Sequence, residues 1–215
     1  MIVIEADARA LGISIATSTV SNVKVRDSPY ELRVEVEKSR ELSQNLTADP
    51  IIRAYRDFYW RIGLDPTKVR PSGEALRRRI INGKPFPFIN NVVDCGNLIS
   101  LKTLVPIGLY DLAKIVGKPR ITLTKGEEKF LPIGEKEEIT LRPGLPVMID
   151  DEKVLHLYPH RDSIFSSISS STEKVLVVAA GVPGIGREVL ERACRSVVNC
   201  LETYCGGLSS EVQII

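Results

Sequence analysis

Five short apolar segments between residues 120 and 158 limit the possible folds most strongly. Each is four or five residues long, and glycine, proline or aspartate separates each from the next, which is typical of strands joined by tight turns. The pattern predicts strands at Ile121–Thr124, Glu128–Pro132, Glu138–Leu141, Val147–Asp150 and Val154–Tyr158.

Helical patterns flank this strand-rich region on both sides. The clearest is Ile51–Ile62, where Asp49 is a good N-cap and Pro50 occupies the first helical position. Further helices are predicted at Pro29–Gln44, Gly73–Ile81 (with Ser72 as N-cap) and Arg187–Tyr204, and further strands at Met1–Ala6, Gly12–Val20 and Val175–Ala179. Short strands mixed with separate helices predict an α+β fold with mixed or antiparallel sheets and several packed helices.

A connector at Leu64–Arg70 suggests a soft domain boundary. We expect residues 1–70 to form an N-terminal strand and helix segment that packs on a core of residues 71–215, with one compact domain as the alternative. A chain of 215 residues buries roughly 70% of its unfolded surface. It therefore needs neither disulfides nor a metal ion to fold.

Charge and hydropathy exclude two classes of protein. With 29 basic and 27 acidic residues the net charge is +2, which excludes an obligate polybasic nucleic-acid wrapper but allows a local basic patch. No apolar run approaches the roughly 18 residues of a membrane span, and the opening MIVIEADAR does not resemble a signal peptide. We expect a cytoplasmic protein whose thiols are reduced.

The four cysteines are expected to be buried packing residues, and their spacing has no metal-binding pattern. They are Cys95, Cys194, Cys200 and Cys205.

Two loops resemble functional motifs only in part. GVPGIG at residues 181–186 has the glycine order GxxGxG rather than the dinucleotide-binding GxGxxG, so a simple strand-to-helix turn is favoured. No GxSxG motif is present, which disfavours an α/β-hydrolase. The serine-rich SIFSSISSST at residues 163–172 predicts either a hydroxyl-lined binding loop or a loop that caps neighbouring backbone.

Polar side chains among apolar ones at residues 89–111 indicate a candidate site. Asn90, Asn91, Asp94 and Asn97 alternate with isoleucine, valine and leucine, and Asp94 and Asn97 share a face if the segment is helical. Buried polar groups must be hydrogen-bonded, so these residues either brace a loop or face a ligand. Upstream, the arginines at residues 77–79 and Lys84 either contact phosphates or form a solvated surface.

The region from Val69 to Gly181 resembles the editing (B3/B4) domain of the phenylalanyl-tRNA synthetase beta subunit. In order, it carries the family's arginine run, an IN-x-VVD-x-x-N phrase and a D-L-x-K-I phrase. The matching pieces are Arg77–Arg79, Ile89–Asn90, Val92–Asp94, Asn97, Pro106, Tyr110–Leu112 and Lys114–Ile115. Downstream, ITLTKGEEKFLPIG, LPVMIDDEKVL and HRDSIFSSISSST follow in the family's order.

The resemblance implies a B3/B4-like fold and a function in translation fidelity. Members of the family hydrolyse the ester bond of wrongly charged tRNA, and the wrong amino acid is tyrosine in the synthetase. A free-standing relative is expected to act in trans as an aminoacyl-tRNA deacylase that contacts the 3′ end of the tRNA. We expect no cofactor, metal ion, DNA or membrane partner, and the oligomeric state stays open, including a homodimer.

The family's pocket residues transfer to this chain only in part. Asn97 matches a pocket asparagine and is expected to bind the substrate amino group or the water, together with the backbone around Gly108. Gly108 stands where the synthetases have a pocket histidine, and so leaves space for another side chain. Asn90 and Asp94 are further candidate substrate contacts, although the family aspartate at Asp94 suggests bracing.

The segment that recognises tyrosine in the synthetases is rewritten here as residues 156–162. His160, Arg161 and Asp162 are candidate replacement contacts for the substrate, unless Arg161 and Asp162 simply pair with each other. Arg77, Arg78 and Lys84 are the candidate phosphate contacts.

Two other functions stay open at this stage. One is an RNA- or amino-acid-binding module without hydrolytic activity. The glycine at position 108, where the family has histidine, favours this function. The other is an adaptor, which an exposed apolar patch around Val197 and Leu201 on the last helix would favour.

Overall fold

The centre of the fold is the eight-residue strand β10 (Lys174–Gly181), in which every residue after Lys174 is buried. In this computed structural model, which describes residues 2–42, 46 and 48–215, β10 pairs antiparallel with β2 (Ser14–Ser21) along its whole length. On its other side it pairs antiparallel with β3 (Ile107–Asp111). The short strands β11 (Leu208–Ser209) and β12 (Gln213–Ile214) extend this sheet beyond β2.

A second sheet is built from the short segments of the middle region. Its order is β1-β4-β7-β8-β9, with β1 and β4 parallel and the other neighbours antiparallel. The strands are β1 (Val3–Ile4), β4 (Arg120–Leu123), β7 (Pro146–Ile149), β8 (Val154–Leu157) and β9 (Arg161–Asp162). A separate hairpin pairs β5 (Lys129–Phe130) with β6 (Ile139–Thr140). All five predicted short strands are confirmed, with ends shifted by at most two residues.

The described part of the chain also contains six α-helices, besides three single-turn 3-10 helices at Ser39–Glu41, Leu112–Lys114 and Ile164–Ser166. The α-helices are α1 (Ala6–Ala10), α2 (Tyr30–Lys38), α3 (Pro50–Arg61), α4 (Ser72–Ile81), α5 (Asn91–Thr103) and α6 (Arg187–Cys205). Helices α5 and α6 pack on each other and on the first sheet, and α4 packs on α5. The predicted α+β architecture with antiparallel and mixed sheets is therefore confirmed.

The start of α3 is predicted correctly, whereas the start of α4 is not. Asp49 accepts a hydrogen bond from the backbone N–H of Ile51 at 2.9 Å, and Pro50 is the first helical residue. In α4, Pro71 occupies the N-cap position and Ser72 already lies inside the helix. The prediction of Ser72 as N-cap is wrong, because the last residue with a non-helical backbone is Pro71, at φ −52° and ψ 141°.

Helix α5 carries the candidate polar residues, and the apolar pattern of its sequence does not predict it. Nearly all of its faces are buried, so no polar stripe marks the helix. Its start is set by Asn90, whose side chain accepts a hydrogen bond from the N–H of Val93 at 2.9 Å. Its end is set by Leu104 in the left-handed conformation, with φ of 64°.

Helix α4 approaches the end of α5 closely because Gly73 has no side chain. A Cβ on Gly73 would lie 2.6 Å from the carbonyl oxygen of Leu104. One turn later, the guanidinium of Arg77 donates to the carbonyls of Leu101 at 2.8 Å and Lys102 at 3.1 Å. Arg77 is only 5% exposed, so this side chain caps α5 from within the protein.

Arg77→Ala is expected to lower the free energy of unfolding by about 3 kcal/mol, because it removes charge-assisted bonds to buried carbonyls. Lys84→Ala, at an exposed position, is expected to change it by less than about 0.5 kcal/mol. Urea unfolding followed by circular dichroism measures both values. Equal, small effects of the two substitutions would contradict the capping role.

The predicted N-terminal segment contributes strands to both large sheets. Strand β1 pairs with β4 of the second sheet, and β2 pairs with β10 of the first. The predicted first strand is shorter than expected because α1 begins at Ala6. The predicted strand start at Met1 and the predicted helix end at Gln44 lie outside the described residues.

Two expectations from composition concern buried and apolar residues. All four cysteines lie in the described part of the chain, where they are buried and carry free thiols, as expected of packing residues. Within the described ranges, no helix combines the length and apolar character that crossing a membrane requires.

Candidate functional site

A pocket of about 300 Å³ opens between α5, β3 and the segment that contains β9. This volume lies at the lower end of the range for ligand sites. Three polar side chains line it: Asn97 on α5, Asp162 on β9 and Ser167 just after. The remaining walls are aliphatic or small, contributed by Ile89, Val93, Gly96, Ile107, Leu109, Ile133, Ile164 and Ile168.

Helix α5 and strand β3 form one wall of the pocket and lie close together because Gly96 has no side chain. A Cβ at Gly96 would lie 2.7 Å from Cδ1 of Leu109 and 3.5 Å from Cγ2 of Ile107. The neighbouring residue, Asn97, is half-buried in the pocket. Within the described residues its carboxamide has no hydrogen-bond partner, so both its donor and its acceptor are available to a ligand.

The other polar residues of α5 brace the structure instead of facing the pocket. Asn90 caps the helix, and Asn91 is fully buried, accepting from the N–H of Arg26 at 2.9 Å. Asp94 accepts from the hydroxyl of Ser28 and from the N–H of Ile89. Burial raises the pKa of Asp94 above its usual value. Neither Asn90 nor Asp94 lines the pocket, so the geometry gives no support to a contact of either with substrate there.

Asp162 is held in the pocket wall by two neighbouring side chains. Its Oδ1 atom lies 2.8 Å from the hydroxyl of Tyr110 and 2.6 Å from Nδ1 of His156. Burial, followed by the charge of Asp162, raises the pKa of Tyr110 well above its usual value, so the phenol stays protonated and donates. The imidazole of His156 is buried, and its Nε2 atom has no partner among the described residues.

Gly108 makes room for this arrangement and does not line the pocket. Side chains alternate along β3, so Ile107 and Leu109 face the pocket while Gly108 and Tyr110 face the opposite side. A Cβ at Gly108 would lie 2.1 Å from the Tyr110 hydroxyl oxygen. The space expected where the family has histidine is therefore filled by the phenol of Tyr110.

The neighbours of Asp162 lie outside the pocket. His160 packs edge-on against Tyr59 of α3, with the ring centroids 6.2 Å apart. Arg161 is exposed and pairs with Glu135 at 3.1 Å, not with Asp162. Neither residue lines the pocket, so the expectation that they contact substrate there finds no support in the geometry.

His160 gives the protein a defined sensitivity to acid. Burial lowers its pKa from 6.5 to about 4, aided by the charges of His156 and Arg161. The pKa of His160 is lower in the folded than in the unfolded state, so protons bind the unfolded state first. The contribution of neutral His160 to stability is therefore complete above pH 6.5 and is lost as pH falls through 4.

When the pH falls from 7 to 4, we expect the free energy of unfolding of the wild type to decrease by about 3 kcal/mol more than that of a His160→Phe variant. The phenyl ring of the variant cannot take up this proton. Urea unfolding of both proteins at the two pH values measures the difference. A gap between the two proteins that is independent of pH would contradict the lowered pKa.

The candidate phosphate contacts are mostly engaged inside the protein. Arg77 is buried in its contacts with the end of α5. Arg78 pairs with Glu74 at 2.6 Å, and Arg56 pairs with the same carboxylate. Burial opposes the ionised form of Glu74, but the two arginines outweigh it and lower its pKa. Of the three expected RNA contacts, only Lys84 is exposed.

The serine-rich loop at residues 163–172 mainly caps neighbouring backbone. Ser163 accepts from the N–H of Phe165 at 3.2 Å, and Thr172 accepts from the N–H of Ser169 at 2.9 Å. Ser167 is the one hydroxyl of this loop that lines the pocket. GVPGIG forms the expected turn from β10 into α6, with Gly186 at the N-cap position of the helix.

Sequence reasoning missed two site residues, Tyr110 and His156. Both lie on strands with their side chains pointing into the space between the two sheets, and each touches a residue distant in sequence. One local signal was available, since Gly108 and Tyr110 are two apart and share a face if the segment is a strand.

Comparison with solved structures and curated proteins gives consistent results. An N-terminal fragment of the phenylalanyl-tRNA synthetase beta subunit from Pyrococcus horikoshii superposes with a TM-score of 0.53 at 17% identity, over 97% of this chain and 50% of that one. At this identity the likeness shows a shared fold.

Two phenylalanine–tRNA ligase beta subunits match about half of the sequence. The subunit from Lactobacillus acidophilus is 34% identical over 124 residues, or 57% of this chain, and that from Malacoplasma penetrans is 29% identical over 119 residues, or 55%. In each case the match spans 15% of the ligase subunit.

The family model for the B3/4 domain matches residues 54–206, which include α5, the pocket walls and the whole of β10. The match covers well over half of the 215 residues. The chain belongs to the B3/4 domain family.

Proposed function

We propose that the protein is an aminoacyl-tRNA deacylase that hydrolyses the ester of mischarged tRNA in trans. The observation that carries the proposal is the carboxamide of Asn97, which has no hydrogen-bond partner among the described residues and lies in a pocket with mainly aliphatic walls. Membership of the B3/4 family and the match to phenylalanine–tRNA ligase beta subunits support an aminoacylated tRNA 3′ end as the partner.

The hydrolysis of an aminoacyl ester requires few catalytic groups from the protein. Water adds to the ester carbonyl carbon, the bond from that carbon to the ribose oxygen breaks, and the proton from the water passes to the ribose oxygen. The work of the site is to orient the water and to stabilise the negative charge that develops on the carbonyl oxygen. Amide and backbone N–H groups suffice for this, and the neighbouring ribose hydroxyl is available for proton transfer.

Two features of the pocket supply these groups in our proposal. The carboxamide of Asn97 donates to the developing oxyanion. Strand β3 is an edge strand, paired by β10 on one side and by no strand of the described residues on the other. Backbone N–H groups along an outer edge are therefore left without strand partners and can serve as additional donors.

The direct test is to incubate the purified protein with a panel of tRNAs, each charged with its cognate or with a wrong amino acid, and to measure amino acid release. Faster release from at least one mischarged tRNA than in a reaction without protein is the expected result. No release above that background from any tRNA, with the protein folded, would overturn the proposal and favour a binding module without hydrolysis.

An adaptor role has less support from the structure. Val197 and Leu201, which would have to form an exposed apolar patch on α6, are both fully buried against the first sheet and α5.

A further inference from the structure

One carboxylate stands in an otherwise uncharged pocket. Among the residues that line the pocket, Asp162 alone carries a charged side chain. Seven aliphatic side chains surround it, and the remaining lining residues are glycine, asparagine and serine. In a site with such low polarity, a carboxylate attracts a cationic group more strongly than it would in water.

The protein fixes one oxygen of this carboxylate and leaves the other open. Tyr110 and His156 both converge on Oδ1, at 2.8 and 2.6 Å. Within the described residues, Oδ2 makes no hydrogen bond, and the Asp162 side chain is 31% exposed. Tyr110 and His156 also contact each other at 2.6 Å, and together they hold the carboxyl plane in place. The open oxygen is thus a preset acceptor at the pocket wall.

The apolar walls determine what else can enter. Ile107, Leu109 and Ile168 line the interior together with Val93, whereas Ile89 and Ile133 at the mouth are 64% and 46% exposed. Apolar walls of this kind stabilise an aliphatic side chain through burial. They offer no partner for a second charge, which would be desolvated without compensation.

We infer that Asp162 binds the free α-ammonium group of the substrate, so that the pocket accepts unblocked aminoacyl groups with aliphatic side chains and rejects N-acylated ones. This inference rests on the proposed function, because it assigns the substrate class of the same site. Tyr110 and His156 act as positioning residues, since they hold the carboxylate and do not line the pocket.

The test uses a stable analogue, adenosine that carries leucine through a 3′ amide, and its N-acetylated twin. Calorimetry with the wild-type protein is expected to show at least tenfold tighter binding of the free amine. An analogue that carries glutamate in place of leucine is expected to bind at least tenfold more weakly, because of its second charge. Equal affinity for the amine and its acetylated twin, or no binding of either, would overturn the inference.

Three variants assign the preference to its residues. Asp162→Asn is expected to remove the preference for the free amine, and Tyr110→Phe to reduce it several-fold while the affinity for the acetylated twin is unchanged. Glu135→Gln removes a nearby carboxylate that does not line the pocket, and is expected to retain the full preference. A preference that survives in Asp162→Asn would contradict the assignment.

The binding test and the hydrolysis test fail separately. Asp162-dependent amine preference without release from any charged tRNA would leave this inference standing and remove the deacylase proposal. Release from charged tRNA without a preference for the free amine would support the deacylase proposal and overturn this inference.

Discussion

Asn97→Ala is expected to slow amino acid release from mischarged tRNA by about 10²–10³-fold, the usual cost of losing one donor to a developing oxyanion. The same change is expected to alter the free energy of unfolding by less than about 1 kcal/mol. The reason is that the carboxamide is half-buried and bonds to no described residue, so its removal strands no partner. Single-turnover release assays and urea unfolding give the two values.

The matched control is Asn199→Ala, which removes an exposed asparagine from another helix, α6. It is expected to leave release unchanged. Release by Asn97→Ala at close to the wild-type rate would contradict the role of the carboxamide. A large loss of stability in this variant would show that Asn97 braces the fold, as Asn91 does.

Gly108→Ala is expected to lower the free energy of unfolding by about 3 kcal/mol, although it adds a single methyl group. The new Cβ would lie 2.1 Å from the hydroxyl oxygen of Tyr110 and 2.6 Å from Cζ of its ring. The phenol is buried, at 1% exposure, so overpacking and the loss of its bonds to Asp162 and His156 add together. Thermal and urea unfolding measure the cost.

Two comparisons separate this clash from a general intolerance of alanine. Gly186→Ala adds a Cβ that meets no atom within 4 Å, and it is expected to change stability by less than about 1 kcal/mol. In a Tyr110→Leu background the phenol is absent, so Gly108→Ala is expected to cost much less than in the wild type. Equal costs in the two backgrounds would show that Tyr110 does not fill the space above Gly108.

Local patterns predicted the elements whose faces differ in polarity. Helix α3 followed from Asp49 and Pro50, and the short strands followed from their turn residues. Helix α5 did not, because burial on nearly every side removes the polar stripe that marks a surface helix. The strands β11 and β12 after α6 were not predicted either, because a strand of two residues is too short to show an alternating apolar pattern.

The candidate site was predicted in part, and the limit is again physical. Asn97 could be proposed from its place in a polar run, but a sequence does not show which residue of that run faces a pocket and which ones brace. Arg77 illustrates the same limit, because a buried arginine that caps a helix and an exposed one that contacts phosphate have identical sequence signals. The contact of Tyr110 with Asp162 joins residues 52 apart and depends on how the two sheets meet.

The most direct test of the account is to locate where an aminoacyl group binds. Amide ¹H–¹⁵N spectra recorded during titration with the 3′-leucyl-amide adenosine analogue report every backbone position at once. We predict that the shifted signals cluster at Gly96, Asn97 and residues 164–168, around the pocket. A second cleft of about 350 Å³ contains Thr17, Thr19 and Ser210 and serves as an internal control. Shifts confined to that cleft, or no shifts at all, would contradict the assignment of the site.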